Sequence, residues 1–274
     1  MWILIILCIF ASGSKANTDE KCHYIVRNVC HHKEIIKDGL GSPYQLAMDY
    51  STNTLFFSFS SNDSYTTFNS AHVNLISKQF QIIEGVVGGF AQAVDAKTGT
   101  VYISGTDGIY KFDYKTNTAE HVDGSTQAIW QMFHKKRLYY TTYPEEYVYV
   151  YEDGQSQRLP SLNETKAMLV AIDNDDNIYF SNSSGLFYKN NERNIHFLGD
   201  YVLNSITLDI NGNLYFSTPN EIYYIDGKLK IIEKLITLDD IFGVAIDGNG
   251  NIVYASEDSI IRLQRAKQQW DKTL

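Results

Sequence analysis

Apolar and polar positions in this chain alternate in short runs that stop and restart in the same way. Val170-Ala171-Ile172 ends at Asp173, a polar turn follows, and Ile178-Tyr179-Phe180-Ser181 opens the next run. The order returns at Ile206-Thr207-Leu208-Asp209 with Leu214-Tyr215-Phe216-Ser217, and again at Val244-Ala245-Ile246-Asp247 with Ile252 to Ser256. Runs of three to five β-branched and aromatic residues on either side of a Gly/Asn turn are the grammar of a β-hairpin. The three rim acids are spaced by 36 and 38 residues, a period that marks a repeat architecture.

Three further copies can be read upstream. Gln92 to Asp95 with Thr100 to Ser104 carries one extra turn residue, and Leu46 to Asp49 pairs with Leu55 to Ser58. The sixth, Ile129 to Phe133 with Leu138 to Thr141, has lost its Asp and turns at Lys135-Lys136. Two more strands follow each hairpin, as at Ile109–Asp113 and Thr118–Val122, or at Glu221–Ile225 and Leu229–Leu235 after an Asp226-Gly227 turn. Four antiparallel strands at a period near 40 predict an all-β, six-bladed β-propeller. The last copy supplies only three strands, over 241–246, 252–256 and 259–263. The missing outer strand is expected from His32 to Gly39, which would close the ring from the amino-terminal end.

The remaining sequence bounds the domain. Trp2 to Phe10 is a short apolar run followed by Ser14-Lys15-Ala16, which predicts a signal peptide over 1–16; it is too short to span a bilayer. Residues 17–274 are then a single propeller, with 17–40 as its closing segment and 265–274 as a tail. Secretion places Cys22 and Cys30 in an oxidising compartment and predicts their disulfide; free thiols, or zinc held with His23, His31 and His32, are the alternatives. It also exposes the sequons at Asn62, Asn163 and Asn182 to N-glycosylation. The formal charge of −9 argues against nucleic acid or an anionic membrane as partner, and a soluble monomer is expected.

Chemistry is expected where the copies stop resembling one another. Asp49, Asp95, Asp173, Asp209 and Asp247 end their inner strands, where a carboxylate accepts bonds from turn amides, so they read as turn caps rather than metal ligands. Phe56, Tyr102, Tyr139, Tyr179, Tyr215 and Tyr254, just past the turns, are expected to pack between blades. Five positions before each Asp, at the axial mouth, stand Tyr44, Phe90, Met168, Asn204 and Phe242, with Trp130 in the degenerate copy and Gln45, Gln92 and Gln131 beside them. Such a mouth suits a planar aromatic ligand that stacks and accepts hydrogen bonds, unless these residues merely plug the channel.

The repeat resembles the six-bladed NHL and gluconolactonase-like propellers. Hydrolytic members of that class hold a divalent ion with an acidic residue and Asn side chains at these axial positions. Only Asn204 matches that set; Asp107, Glu145, Glu146, Asp239, Asp240, Glu257 and Asp258 could approach from loops. His121, His134 and His196 lack a Ser or Cys nucleophile motif beside them, so no catalytic residues, metal or cofactor are predicted.

Over its full length, with its secretory start, two mature cysteines, Tyr-rich blades and the wording Ala245 to Tyr254, the chain is similar to the insect ommochrome-binding proteins. That resemblance implies a haemolymph carrier for phenoxazinone pigments such as xanthommatin or an ommatin, without catalysis. A calcium-dependent lactonase or arylesterase, and a secreted protein-interaction propeller, are the competing readings.

Overall fold

The computed structural model describes residues 22–61, 64–123, 128–190 and 194–266. The signal segment, the Asn62 sequon and the tail beyond 266 lie outside the described residues. Six antiparallel sheets stand around one axis. Blade one is Gly41–Asp49, Thr54–Ser61, Ser64–Asn74 and Phe80–Ile82; blade two is Gln92–Val94, Val101–Gly105, Gly108–Asp113 and Thr118–Asp123. Blade three is Ala128–Lys135, Arg137–Tyr143, Val148–Glu152 and Gln155–Arg158; blade four is Leu169–Ile172, Ile178–Asn182, Gly185–Lys189 and Ile195–Gly199. Blade five is Ser205–Leu208, Leu214–Ser217, Glu221–Asp226 and Ile231–Thr237. The first strand of each blade is innermost, and each inner strand packs on the next in cyclic order, with blade six returning to blade one.

Closure follows the predicted route. Blade six has Gly243–Ile246, Ile252–Ala255 and Ile260–Arg265 from the end of the chain, and Val29–Lys37 adds its outer strand, with Lys33 opposite Leu263 and Ile35 opposite Ile261. Tyr24–Val26 folds back on it as a fifth strand, and the Cys22–Cys30 disulfide ties this hairpin. Side chains fasten the closing strand to both neighbours. Glu34 is clasped by Arg262 of its own blade at 2.7 Å and Lys78 of blade one at 2.6 Å. Arg27 pairs with Glu233 of blade five and lies 4.4 Å from the Tyr224 ring centre. The ring is thus held at its seam by contacts to three blades.

The turn chemistry explains the repeat. Asp173 Oδ1 accepts from the backbone N–H of Asp175 and of Asn177, each at 2.9 Å, and Oδ2 accepts from Asn177 Nδ2 at 2.8 Å. Asp209 with Asn213, and Asp247 with Asn251, make the same three bonds. An Asp with an Asn four positions on therefore satisfies the hairpin turn internally. Blade one departs from this: Asp49 takes bonds from Ser51, Thr52 and the Tyr114 hydroxyl of blade two. Burial raises its carboxyl pKa, but those donors outweigh burial and leave it below the usual aspartate value. In blade three Lys135 stands at the Asp position and donates to Asn174 Oδ1 of blade four at 2.6 Å, while His134 before it stacks on Tyr102 of blade two at 5.9 Å and 10°.

The aromatics that follow the turns pack across blade boundaries as expected. Phe56 meets Phe112 and Tyr114 of blade two at 5.4 and 5.9 Å, and Lys230 of blade five donates to the Tyr179 hydroxyl at 2.7 Å.

Candidate functional site: an aromatic cup on the propeller axis

Inner strands run from one end of the ring to the Asp rim, so their first residues surround the opposite mouth. There the structure opens a cavity of about 1030 Å³. Tyr44, Gln45, Phe90, Trp130, Met168, Asn204 and Phe242, drawn from all six inner-strand entries, line it together. The mouth is a cup and not a plug of side chains. At the Asp rim a separate recess of about 140 Å³ shares no lining residue with the cup, and Tyr50 of blade one spans that end to donate its hydroxyl to the Leu208 carbonyl of blade five at 3.1 Å.

Two β-bulges aim the wall. In blade one the partners step from Tyr44↔Ser58 to Ala47↔Phe56, leaving one extra residue, and Gln45 takes a left-handed φ of 54° within it. In blade three they step from Ile129↔Thr142 to Gln131↔Thr141, which places Trp130 in the bulge. A bulge breaks the alternation of side chains and re-aims the residues it holds. Tyr44 and Gln45, adjacent in sequence, consequently both face the cavity. In blade two the same end is reached by a glycine pair: Gly88 has φ +67°, and a Cβ on Gly89 would collide with Ser70 Oγ. Only glycines let this segment pass so close before it delivers Phe90.

The rings form a continuous arc. Phe242 lies 5.3 Å from Tyr44, Tyr44 lies 6.0 Å from Phe90, Phe90 lies 5.1 Å from Trp130, and Trp130 lies 5.5 Å from Tyr143. Phe68 backs the arc at 4.7 Å from Phe90. The facing wall is uncharged and mixed: Ser181, Asn182 and Ser183 of blade four and Asn204 of blade five stand among Met168, Leu169, Val202 and Leu203. Asn204 Nδ2 donates to the Ile241 carbonyl at 2.7 Å, while Asn182 Nδ2 donates to the Lys166 carbonyl at 3.2 Å and its Oδ1 accepts from Ser184 N–H at 2.9 Å. Both amides are held in place before any ligand arrives.

Gln92 and Gln131 do not belong to the cup, which corrects the expectation for them. Gln92 stands three and Gln131 four positions before the rim, and neither side chain reaches the cup. Gln131 donates Nε2 to the Val170 carbonyl and accepts the Val170 N–H on Oε1, both at 3.0 Å, joining blade three to blade four as a strand would. Gln92 is buried beside the lower recess, with Nε2 3.4 Å from Ser70 Oγ. Conversely, Phe68, Tyr143, Asn182 and the apolar pair Val202-Leu203 were not picked out as lining residues by counting back from the Asp. Tyr143 and Asn182 end second strands, a position that can be found by counting forward from the turn.

The acids that could have approached from loops are engaged elsewhere or lie off the wall. Asp107 accepts from the Tyr110 hydroxyl at 2.7 Å, Asp258 from Ser259 at 2.6 Å, and Glu146 faces Lys166 at 3.7 Å. Among the described residues no carboxylate lines the cup, and no group of three His, Cys, Asp or Glu is placed to hold a metal.

Among solved structures, a gluconolactonase from Xanthomonas campestris superposes with a TM-score of 0.66 at 13% identity, covering 86% of this chain and 90% of that one. A calcium-binding regucalcin from Agrobacterium tumefaciens gives 0.63 at 10%, covering 86% and 94%. At such identities the likeness is one of fold. No family model matches the chain. The ommochrome-binding protein of Manduca sexta is 38% identical over 267 residues, covering 95% of this chain and 97% of that protein. Identity at that level along nearly the whole of both chains shows that this propeller belongs to the ommochrome-binding protein family.

Proposed function

We propose that the protein is a secreted, monomeric carrier that binds an ommochrome pigment such as xanthommatin or an ommatin in haemolymph and releases it chemically unchanged. The observation that carries this reading is the arc of five rings, Phe242, Tyr44, Phe90, Trp130 and Tyr143, facing fixed neutral amides across the cup. A flat heteroaromatic ring stacks on the first wall while its carbonyl and nitrogen atoms meet the second. The family relative is named for ommochrome binding, and a wall whose described residues include no carboxylate suits a binder better than a metal-assisted hydrolase. Export through the secretory route is consistent with the Cys22–Cys30 disulfide and would allow glycans at Asn62 and Asn163, whereas a glycan on Asn182 would stand in the cup and displace its bond to the Lys166 carbonyl, so this sequon stays unmodified in a pigment carrier.

Titration of xanthommatin into the wild type and into Trp130→Ala and Phe242→Ala tests the reading. Both variants are expected to weaken binding at least tenfold. Equal affinity in all three proteins removes the cup as the pigment site. Turnover of a lactone that a chelator abolishes would replace the carrier reading with the hydrolase.

A further inference from the structure

The walls of the cup are electrically silent. Among the described residues its lining includes no lysine, arginine, histidine, aspartate or glutamate; what is polar there is hydroxyl or amide, as in Ser181, Asn182 and Asn204. An ionised carboxylate or phenolate drawn into such a space loses its hydration and meets no compensating charge, which disfavours the ionised form. The aromatic arc points the same way, because ring faces present negative potential and attract cations. The surroundings add a third contribution of the same sign. The segments that connect strands at the mouth end carry acids such as Asp107, Glu146, Asp240 and Glu257. Among the described residues of those segments, Lys166 is the single lysine or arginine, and it lies 3.7 Å from Glu146.

We propose that the cup selects its ligand by charge: it buries a planar ring system in neutral or cationic form and leaves ionised acidic substituents outside the rim. This rests on the cup being the ligand site. It fixes the direction in which a ligand enters. The end of the molecule free of ionised acids goes in, and carboxylate-bearing groups stay in water at the mouth. A ring whose own oxygen can ionise is taken up protonated.

Resorufin is a suitable probe, being a phenoxazinone whose single acidic oxygen changes the colour of the ring when it ionises. The full chain is titrated with resorufin across pH by absorbance, in low and high salt. The expected result is a bound-state pKa raised by about one unit or more, equivalent to a preference of at least tenfold for the neutral form. Met168→Lys, which puts an ammonium into the wall, is expected to reverse the shift. Resorufin that binds, weakens on Trp130→Ala and yet keeps or lowers its free pKa overturns the charge selection and leaves the site intact. Resorufin that fails to bind at any pH, or binds equally to Trp130→Ala, removes the site and the proposal with it.

Discussion

Blades four to six and blades one to three are built to the same plan and put to different use. In the later half the three turns are chemical copies, each an Asp bonded to an Asn four residues on, and blades four and five give the cup only hydroxyls, amides and aliphatic groups. In the earlier half no turn keeps that bonding, two inner strands are bulged, and Tyr44, Phe68, Phe90, Trp130 and Tyr143 supply every ring of the cup but Phe242 of blade six. Regular turns satisfy themselves, and of their three blades only the sixth adds a ring to the cup, Phe242. Irregular ones borrow partners from the next blade, as Asp49 does from Tyr114, while the bulges on their strands swing aromatic groups inward.

This contrast breaks if binding and stability do not separate between the halves. The largest effect is expected at Trp130→Ala, a loss of about 2 kcal/mol of ligand binding, roughly thirtyfold in Kd, with little change in melting temperature. Isothermal titration beside thermal unfolding measures both. Gln131→Ala is its converse: it leaves the Val170 N–H and carbonyl buried without their partner and is expected to destabilise by about 1–3 kcal/mol, seen in urea unfolding, with ligand affinity kept within twofold. In the regular half, Asp209→Ala removes three turn bonds and is expected to cost about 1–2 kcal/mol of stability, again without a binding effect. A weakened ligand affinity there would show that the turns do shape the cup.

The smallest effect is a pH dependence. The folded pKa of Asp49 lies below its ordinary value of 3.8, so its bonds contribute stability that is fully present above that value and is lost as pH falls through the lowered one. Asp49→Asn should therefore show a shallower loss of stability below about pH 4 than the wild type. Parallel acid-unfolding curves would contradict the role given to its donors.

The fold was readable because the turn-capping Asp and the strand periodicity are local properties, repeated until their register was unambiguous. Even the seam was legible, since blade six visibly lacked a strand and residues 32–39 visibly had one to give; the strand came to span Val29–Lys37. The cup was legible only where counting along one strand sufficed. Counting places Tyr44 and Trp130 on the wall, as the structure has them, but it also places Gln131 there, whose side chain turns to blade four because its direction near a bulge depends on the partner strand. Phe68 escaped for a related reason: it reaches the wall from a third strand, and nothing in its neighbours distinguishes it from a packing residue.

Tyr50 has a kinetic consequence. Its hydroxyl bridges blades one and five at the Asp rim, and the recess there shares no lining residue with the cup, so ligand is expected to come and go by the mouth alone. An incoming ligand cannot push the resident out from behind, so exchange must begin with departure, and the rate at which bound ligand leaves should not depend on how much competitor is waiting.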